Sequence, residues 1–187
     1  MDYQRMEQAA REAGFAHMAP VDPATIELKP EVRQMCRSCH MYDTRWSCPP
    51  GCGTLEENAA RIQQFRQGIL LQTVGQLEDE FDGEGMMEAQ QCHKENFQAF
   101  CSSIAEKTPV LALGAGCCTV CSKCTYPESA CRFPEKMISS MEAYGMVVSE
   151  VCQKAGQPYY YGKNTIAYTS CLLFDQKPTC GGDDSSL

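Results

Sequence analysis

The stretch Gly114-Ala-Gly-Cys117-Cys118-Thr-Val-Cys121-Ser-Lys-Cys124-Thr-Tyr-Pro-Glu-Ser-Ala-Cys131-Arg-Phe-Pro134 concentrates thiols in a short segment. Three of them, Cys118, Cys121 and Cys124, follow a C-x2-C-x2-C spacing, and Cys131 comes next. A tight loop with this spacing can turn several thiolates toward one point, and an odd trio cannot all pair as disulfides. The run is typical of iron–sulfur ligation in bacterial ferredoxins, although there the Cys-Pro follows sooner. The segment therefore predicts an inorganic centre.

A second cysteine group precedes this one at residues 36–52. It reads Cys36-Arg-Ser-Cys39-His-Met-Tyr42-Asp-Thr-Arg-Trp46-Ser-Cys48-Pro-Pro-Gly-Cys52. The two consecutive prolines remove backbone donors and fix φ, so the pattern indicates a rigid loop and excludes a strand or a long helix. We expect a second metal site in this loop.

The simplest assignment gives each loop, 36–52 and 117–134, its own centre. The first then uses Cys36, Cys39, Cys48 and Cys52, and the second uses Cys118, Cys121, Cys124 and Cys131. This local arrangement is favoured because a short loop closes at a lower entropy cost than a long one. A crossed arrangement stays open, in which Cys131 closes the first centre and Cys117 or Cys52 closes the second.

Five cysteines lie outside both loops. Cys92, Cys101 and Cys152 fall in predicted helices, where we expect them to pack as small apolar groups. Cys171, in the last predicted strand, and Cys180, in the tail, stay open as a distant fourth ligand.

Composition narrows the class of protein. Fourteen cysteines among 187 residues are too many for packing alone, and the first residues contain no apolar signal segment. No run approaches the roughly 18 apolar residues of a membrane helix. We therefore expect a cytoplasmic protein, in which dense cysteines are metal ligands because the thiols stay reduced. The net charge of −8, with dispersed Lys and Arg, argues against a nucleic-acid partner.

Hydrophobic periodicity predicts an α/β (or α+β) fold, a small mixed sheet flanked by helices with two cysteine-rich cluster-binding loops, in a single domain over residues 1–187. Helices are predicted at 2–13, 55–66, 86–105 and 147–155, with a further short helix after the Ser139 capping box. Strands are predicted at 15–21, 69–74 and 110–113, followed by a hairpin of 158–161 and 165–174. His93 lies on the apolar face of the third helix, where we expect a hydrogen-bonded core histidine. Gly114-x-Gly116 lacks the third glycine of the dinucleotide-binding fingerprint. We therefore exclude a dinucleotide site at this turn.

Several of these motifs together resemble the DUF2284 family of predicted metal-binding proteins. The resemblance rests on Cys36-x-x-Cys39-x-x-Tyr42-x-x-x-Trp46-Ser-Cys48-Pro-Pro50, Cys118-x-x-Cys121-x-x-Cys124-x-x-Pro127, Cys131-Arg-x-Pro134 and Ser140-Met-Glu-Ala-Tyr-Gly145. It spans most of the chain and implies cluster or metal binding without an assigned reaction. Cys52 is an extra thiol beyond the Cys-Pro-Pro element, and Phe133 stands where histidine is expected.

These observations predict two [4Fe-4S] clusters, with low-potential electron transfer or an accessory role in anaerobic metabolism, and with a redox partner protein. Full cysteine ligation leaves no iron free for a substrate, and an acidic chain disfavours adding an electron to an anionic site. Two alternatives stay open. One is a binding module with two structural zinc ions, which the C-x2-C-x2-C run disfavours. The other is an enzyme in which one cluster has three cysteine ligands and an open iron. The sequence contains no convincing acid–base pair.

Overall fold

The computed structural model of the chain describes residues 3–105 and 109–176. This part of the chain contains helices α1 (Tyr3–Glu12), α2 (Pro30–Met35), α3 (Leu55–Ile62), α4 (Gly83–Ala105) and α5 (Val148–Lys154). Its strands are β1 (His17–Val21), β2 (Phe65–Gln76), β3 (Leu111–Gly114), β4 (Ser139–Ser140) and β5 (Thr165–Gln176). Short 3-10 turns cover Pro23–Thr25, Cys36–Ser38, Pro134–Lys136 and Glu142–Tyr144.

The five strands form one open mixed sheet in the order β1-β2-β5-β3-β4. The long strands β2 and β5 pair antiparallel along their length, and β1 and β3 add antiparallel strands on either side of them. Only the short β4 is parallel to its neighbour, β3. The predicted α/β class, a small mixed sheet flanked by helices, is confirmed.

Each face of the sheet covers its own apolar core because successive side chains of a strand point to opposite faces. On one face, Ile69 and Leu71 of β2 pack with Met6 of α1 and with Phe97 and Phe100 of α4. On the other face lie Leu70, Cys171 and Leu173, which pack with residues of the Met141–Met146 segment and α5 such as Tyr144 and Val151. The cysteines of both loops lie outside these two cores.

Local sequence signals are confirmed where they act over a few residues. Thr54 caps α3 by accepting a hydrogen bond from the Glu57 amide (3.2 Å), and the Glu57 carboxylate accepts one from the Thr54 amide (2.8 Å). This capping box satisfies two of the donors that a helix start leaves free. In contrast, α2 was not predicted, because Pro30 at its first turn suggested a loop.

The predicted hairpin of 158–161 with 165–174 is wrong. Strand β5 pairs with β2 and β3 instead, and residues 158–161 form no strand. This segment is held by Gln72 of β2, whose Nε2 donates to the Pro158 carbonyl (3.0 Å) and whose Oε1 accepts from the Tyr161 hydroxyl (2.7 Å). The aromatic run therefore anchors a loop on the sheet by side-chain contacts.

The short helix predicted after Ser139 is present only as the 3-10 turn of Glu142–Tyr144, and Ser139 lies in a strand before it. Ser139 and Ser140 extend the sheet as β4, because their backbone pairs with Leu113 and Gly114 of β3. The Ser140 hydroxyl accepts a hydrogen bond from the Ala143 amide (3.0 Å) and leads into the 3-10 turn of Glu142–Tyr144. Gly145 ends this turn at a φ of 94°, a conformation that favours glycine.

Candidate metal centres

The two cysteine loops contact each other and form one unit. The Trp46 indole N–H donates to the Ser129 carbonyl (3.0 Å), and the Tyr126 hydroxyl donates to the Asp43 carboxylate (2.7 Å). The rings of Trp46 and Tyr126 pack edge to face with their centroids 4.9 Å apart. Residues 43–46 of the first loop therefore dock on residues 126–129 of the second, far away in sequence.

A second set of contacts holds Cys118 in place. Its amide donates to the Ser47 hydroxyl (3.2 Å), and its carbonyl accepts from the Arg45 guanidinium (3.1 Å). Ser47 is almost fully buried, so its hydroxyl provides a fixed acceptor in a dry environment. The backbone around the first thiol of the C-x2-C-x2-C run is thus positioned by the other loop.

Four thiols of the second loop line one narrow cavity, of about 20 Å³, between the two loops. They are Cys118, Cys121, Cys124 and Cys131, and Trp46, Phe133 and Met137 complete the wall. The cavity holds little more than one water molecule. The structure thus brings together the four residues that the sequence assigned to the second centre, in a space that a cluster fills only if the loop opens.

The Cys124 sulfur lies among backbone amides and near the Arg45 guanidinium. Burial by itself raises the pKa of Cys124, but the backbone amides of Trp46, Tyr126 and Thr125 and the charge of Arg45 outweigh burial and hold it below its ordinary value. Amide N–H groups that point at sulfur stabilise a thiolate. The thiolate is the form of cysteine that binds metal.

The first loop contributes thiols to a second, larger cavity of about 810 Å³. Cys36, Cys39 and Cys48 of this loop line it, and the fourth thiol in its wall is Cys117 from the second loop. The 3-10 turn of Cys36–Ser38 carries the first of these residues, and a turn that includes the Pro49-Pro50 pair follows Cys48. The cavity thus brings together three residues of the predicted first centre and one thiol that the sequence placed elsewhere.

Cys52, the remaining residue predicted for the first centre, lies behind this wall. It is only 3% exposed, and its thiol donates to the Ala143 carbonyl (3.6 Å). Its own carbonyl accepts from Arg61, and the neighbouring Gly53 carbonyl accepts from Arg33. The two guanidinium groups fix the chain as it enters α3.

Burial raises the pKa of three thiols in this region. Desolvation raises the pKa of Cys48 to about 11 and also raises the pKa of Cys36 and Cys52, although Arg33 opposes the shift at the last two. These thiols are protonated at neutral pH, so a metal must displace their protons when it binds. The buried Nη1 of Arg33 has no hydrogen-bond partner among the residues that the structure describes. A positively charged donor left free beside two thiols fits an anionic group at this position.

The other cysteines of the described chain are distributed as follows. Cys101 and Cys152 are buried, as predicted for packing thiols, whereas Cys92 is exposed on α4. Cys171 is completely buried in β5, and burial raises its pKa to about 12. All of the cysteines in residues 3–105 and 109–176 are free thiols, and Cys180 lies outside the described residues.

His93 is the buried histidine of α4. Its ring nitrogens lie 2.9 Å from the Thr73 hydroxyl and 2.7 Å from the Ser170 hydroxyl, so both are satisfied within the sheet and helix core. Burial, and to a smaller extent the charge of Lys94, lowers the pKa of His93 to about 4, which keeps the ring neutral at neutral pH. The predicted role as a hydrogen-bonded core residue is confirmed.

Among the described residues, no three His, Cys, Asp or Glu side chains are arranged to hold a single metal ion. A [4Fe-4S] cluster makes a different demand, since each of its irons takes one thiolate and the four sulfurs surround a core of several atoms. Two cavities that are each lined by four thiols supply the donor set of such a group. No helix in the same residues is long and apolar enough to span a bilayer.

Sequence reasoning missed Arg33, Arg45 and Ser47, and it named Cys117 only as a possible ligand of the second centre. The three missed residues form contacts with segments that are distant along the chain, and no local pattern marks such contacts. Cys117 did carry a signal, its place directly before the C-x2-C-x2-C run, but adjacent thiols face different directions and the sequence does not show which.

Comparison with known proteins gives one match. No curated protein and no solved structure is significantly similar to the chain. A family model does match it over residues 19–174, which include both cysteine loops, the whole sheet apart from its outermost residues, and α2 to α5. That model describes a predicted metal-binding protein, DUF2284. The chain therefore belongs to the DUF2284 family of predicted metal-binding proteins.

Proposed function

We propose that the chain binds two [4Fe-4S] clusters and transfers single electrons in anaerobic metabolism. The observation that carries this proposal is the division of eight thiols between two neighbouring cavities, four in each. Cysteine thiolates are the usual ligands of such clusters, and four thiolates complete one. The membership of a predicted metal-binding family supports the same conclusion at a coarser level.

The second cluster uses Cys118, Cys121, Cys124 and Cys131. These four residues line one narrow cavity, and Cys124 has amide donors that favour its thiolate. The loop that carries Cys121 to Cys131 is largely exposed, so it can open without exposing apolar core. Binding the cluster should therefore cost little in packing, while Arg45 and Ser47 keep Cys118 in position.

The first cluster uses Cys36, Cys39 and Cys48 with one further thiol. Local closure of the loop predicts Cys52, and that assignment has the lower loop entropy cost. We favour Cys117, because this residue lines the same cavity, whereas Cys52 does not line it and its thiol donates to the Ala143 carbonyl. The second cysteine loop would then contribute thiols to both clusters, with the adjacent residues Cys117 and Cys118 serving different ones.

Electron transfer is the chemistry that two fully ligated clusters support, because they leave no iron free for a substrate. Trp46 and Phe133 cover the second cavity and limit the access of water, which together with the net charge of −8 favours a low reduction potential. A redox partner protein would deliver or remove the electrons. Clusters of this kind and free thiols in such number fit a reducing, cytoplasmic environment.

The test of the proposal is an iron and acid-labile sulfide determination on protein purified without oxygen, with electron paramagnetic resonance of the reduced form. We expect about eight iron and eight sulfide per chain and two interacting S = 1/2 signals. Colourless protein that contains zinc without iron or sulfide would establish the zinc-binding module instead. If the protein contains only half of the expected iron, one of the two proposed centres does not hold a cluster.

The fourth ligand of the first cluster is tested by Cys117→Ser and Cys52→Ser, with Cys92→Ser as the matched control on an exposed thiol. We expect Cys117→Ser to lose about half of the iron or to alter one of the two signals, and the other two variants to match the wild type. Loss in Cys52→Ser alone would restore the local assignment. If all three variants match the wild type, the first cluster has three cysteine ligands, and an open iron facing the larger cavity would favour an enzyme.

A further inference from the structure

We propose that a third cavity, between α4 and residues 114–120, binds a small organic anion that carries phosphate or carboxylate groups. The cavity has a volume of about 470 Å³, which is within the usual range for small-molecule sites. It lies on the side of the Gly114–Cys118 segment that faces α4. The segment that leads into the second cysteine loop lines this cavity as well as the thiol cavities, whereas the residues of α4 that line it do not line the thiol cavities.

Two lysines give this cavity its positive charge. Lys94 of α4 and Lys136 both line it, and neither ammonium group forms an ion pair or a hydrogen bond within the described residues. Lys136 lies over the Phe133 ring, 5.6 Å from its centroid. The acidic residue in the wall, Glu95, accepts a hydrogen bond from Gln91 (2.7 Å). In a chain with a net charge of −8, two unpaired cations on one cavity create a local attraction for anions.

The backbone of the cavity wall adds further donors. The amides of Gly116 and Cys117 have no acceptor within the described residues, whereas the next amide, that of Cys118, is bound to Ser47. Gly116 is exposed and has a φ of 81°, which turns the chain sharply at this point. Successive free amides at such a turn form an anion-binding concavity.

The rest of the wall indicates an organic anion rather than a bare inorganic ion. Phe97, Ile138 and Val120 supply apolar surface, and Gln98 and Ser102 supply neutral polar groups. His93 and Ser170 also line the cavity, but they satisfy each other. A ligand with an anionic group at the Lys94 and Gly116 end and a small apolar body against Phe97 matches this distribution.

The position of the cavity beside the thiols makes the site relevant to function. Cys117 lines both this cavity and the larger thiol cavity, and Cys118 lines both this cavity and the narrow one. A bound anion would therefore touch the segment that joins the two candidate metal centres. The inference concerns binding only, and it does not require that the centres hold clusters.

The test is isothermal titration of the full chain, purified without oxygen, with phenyl phosphate and with citrate as the two organic probes. The variant is Lys94→Gln/Lys136→Gln, and the matched control is Lys123→Gln/Lys163→Gln, which changes net charge equally on two exposed lysines outside the cavity. We expect the wild type and the control to bind at least one probe. The cavity variant should bind that probe at least about tenfold more weakly, because two charge-assisted contacts are lost.

Two outcomes would overturn the inference: the wild type binds neither probe, or the control variant loses as much affinity as the cavity variant. Iron content measured on the same samples separates this inference from the proposed function. A wild type without iron that still binds the anion would contradict only the clusters. A wild type with iron that binds no anion would contradict only this site. Lys94 and Lys136 would then serve to offset the negative charge of the clusters.

Discussion

Gly51 lies where the first cysteine loop packs against Tyr126 of the second. A Cβ atom at this position would lie 2.8 Å from the Arg45 carbonyl oxygen and 2.9 Å from Cε2 of Tyr126. Neither neighbour can move freely, because Arg45 is held by the Cys118 carbonyl and Tyr126 by Asp43. Absence of a side chain at Gly51 is therefore a condition for the loops to dock.

We expect Gly51→Ala to lower the free energy of unfolding by about 1–3 kcal/mol, the usual range for a forced steric overlap, and to lower the iron content of purified protein. Urea unfolding and iron analysis measure these effects. Gly83→Ala is the matched control, since nothing lies within 4 Å of a Cβ at that position. Equal stability of the two variants would show that the loops are not tightly docked at Gly51.

The lowered pKa of the buried His93 ring predicts that the free energy of unfolding depends on pH. Its pKa is lowered to about 4 in the folded chain because the ring is buried, whereas an unfolded histidine titrates near 6.5. Between these values the unfolded state binds a proton that the folded state excludes, so the free energy of unfolding falls as the pH falls. The slope approaches about 1.4 kcal/mol per pH unit and the total loss by pH 4 is about 3 kcal/mol.

Urea unfolding of the wild type and of His93→Gln at a series of pH values tests this. Gln can keep part of the hydrogen bonding to Thr73 and Ser170 but does not titrate. The variant should be less stable at pH 7 and should lose stability less steeply between pH 6.5 and pH 4. Parallel pH profiles for the two proteins would assign the loss to other groups.

At the scale of single elements, the sequence predicts what a few neighbouring residues decide. The capping box at Thr54 and the core histidine of α4 are of this kind, because apolar periodicity and caps act within a few residues. The hairpin failed, and the helix after Ser139 is reduced to a 3-10 turn, because pairing with β2 and β3 outweighed local preference. The same limit applies to the candidate site. The two loops can be predicted from cysteine spacing, but the position of Cys117 beside the thiols of the first loop depends on tertiary contacts.

The docking of the two loops is tested at this scale by Trp46→Phe. The variant keeps an aromatic ring against Tyr126 but loses the N–H that donates to the Ser129 carbonyl. We expect a loss of about 0.5–1.5 kcal/mol in the free energy of unfolding and faster amide exchange across residues 117–131. Tyr160→Phe, which changes an exposed ring, is the control. Unchanged exchange in Trp46→Phe would mean that this contact does not hold the second loop.

Over the whole molecule, the residues of the two apolar cores are distinct from the thiols of the candidate metal centres. Both apolar cores lie against the sheet and contain no cysteine of the two loops, and the thiols that they do contain, such as Cys152 and Cys171, are buried away from the loop cavities. The strand β3 connects the two parts, because it pairs with β5 in the sheet and leads directly into the second loop. We therefore expect the sheet to fold without help from the loop thiols.

This separation predicts how the protein responds when its metal is removed. Small domains built around a metal unfold without it, because binding energy and folding energy are then the same quantity. Here we expect an iron chelator, applied without oxygen, to leave the protection of amides in β2 and β5 within about tenfold of the metal-loaded protein, while residues 36–52 and 117–134 lose most of theirs. Hydrogen exchange followed by mass spectrometry resolves the two parts, with metal-loaded protein in the same buffer as the control. Loss of protection in the sheet together with the loops would mean that the loops are part of the folding core, and that the two apolar clusters cannot hold the strands together alone.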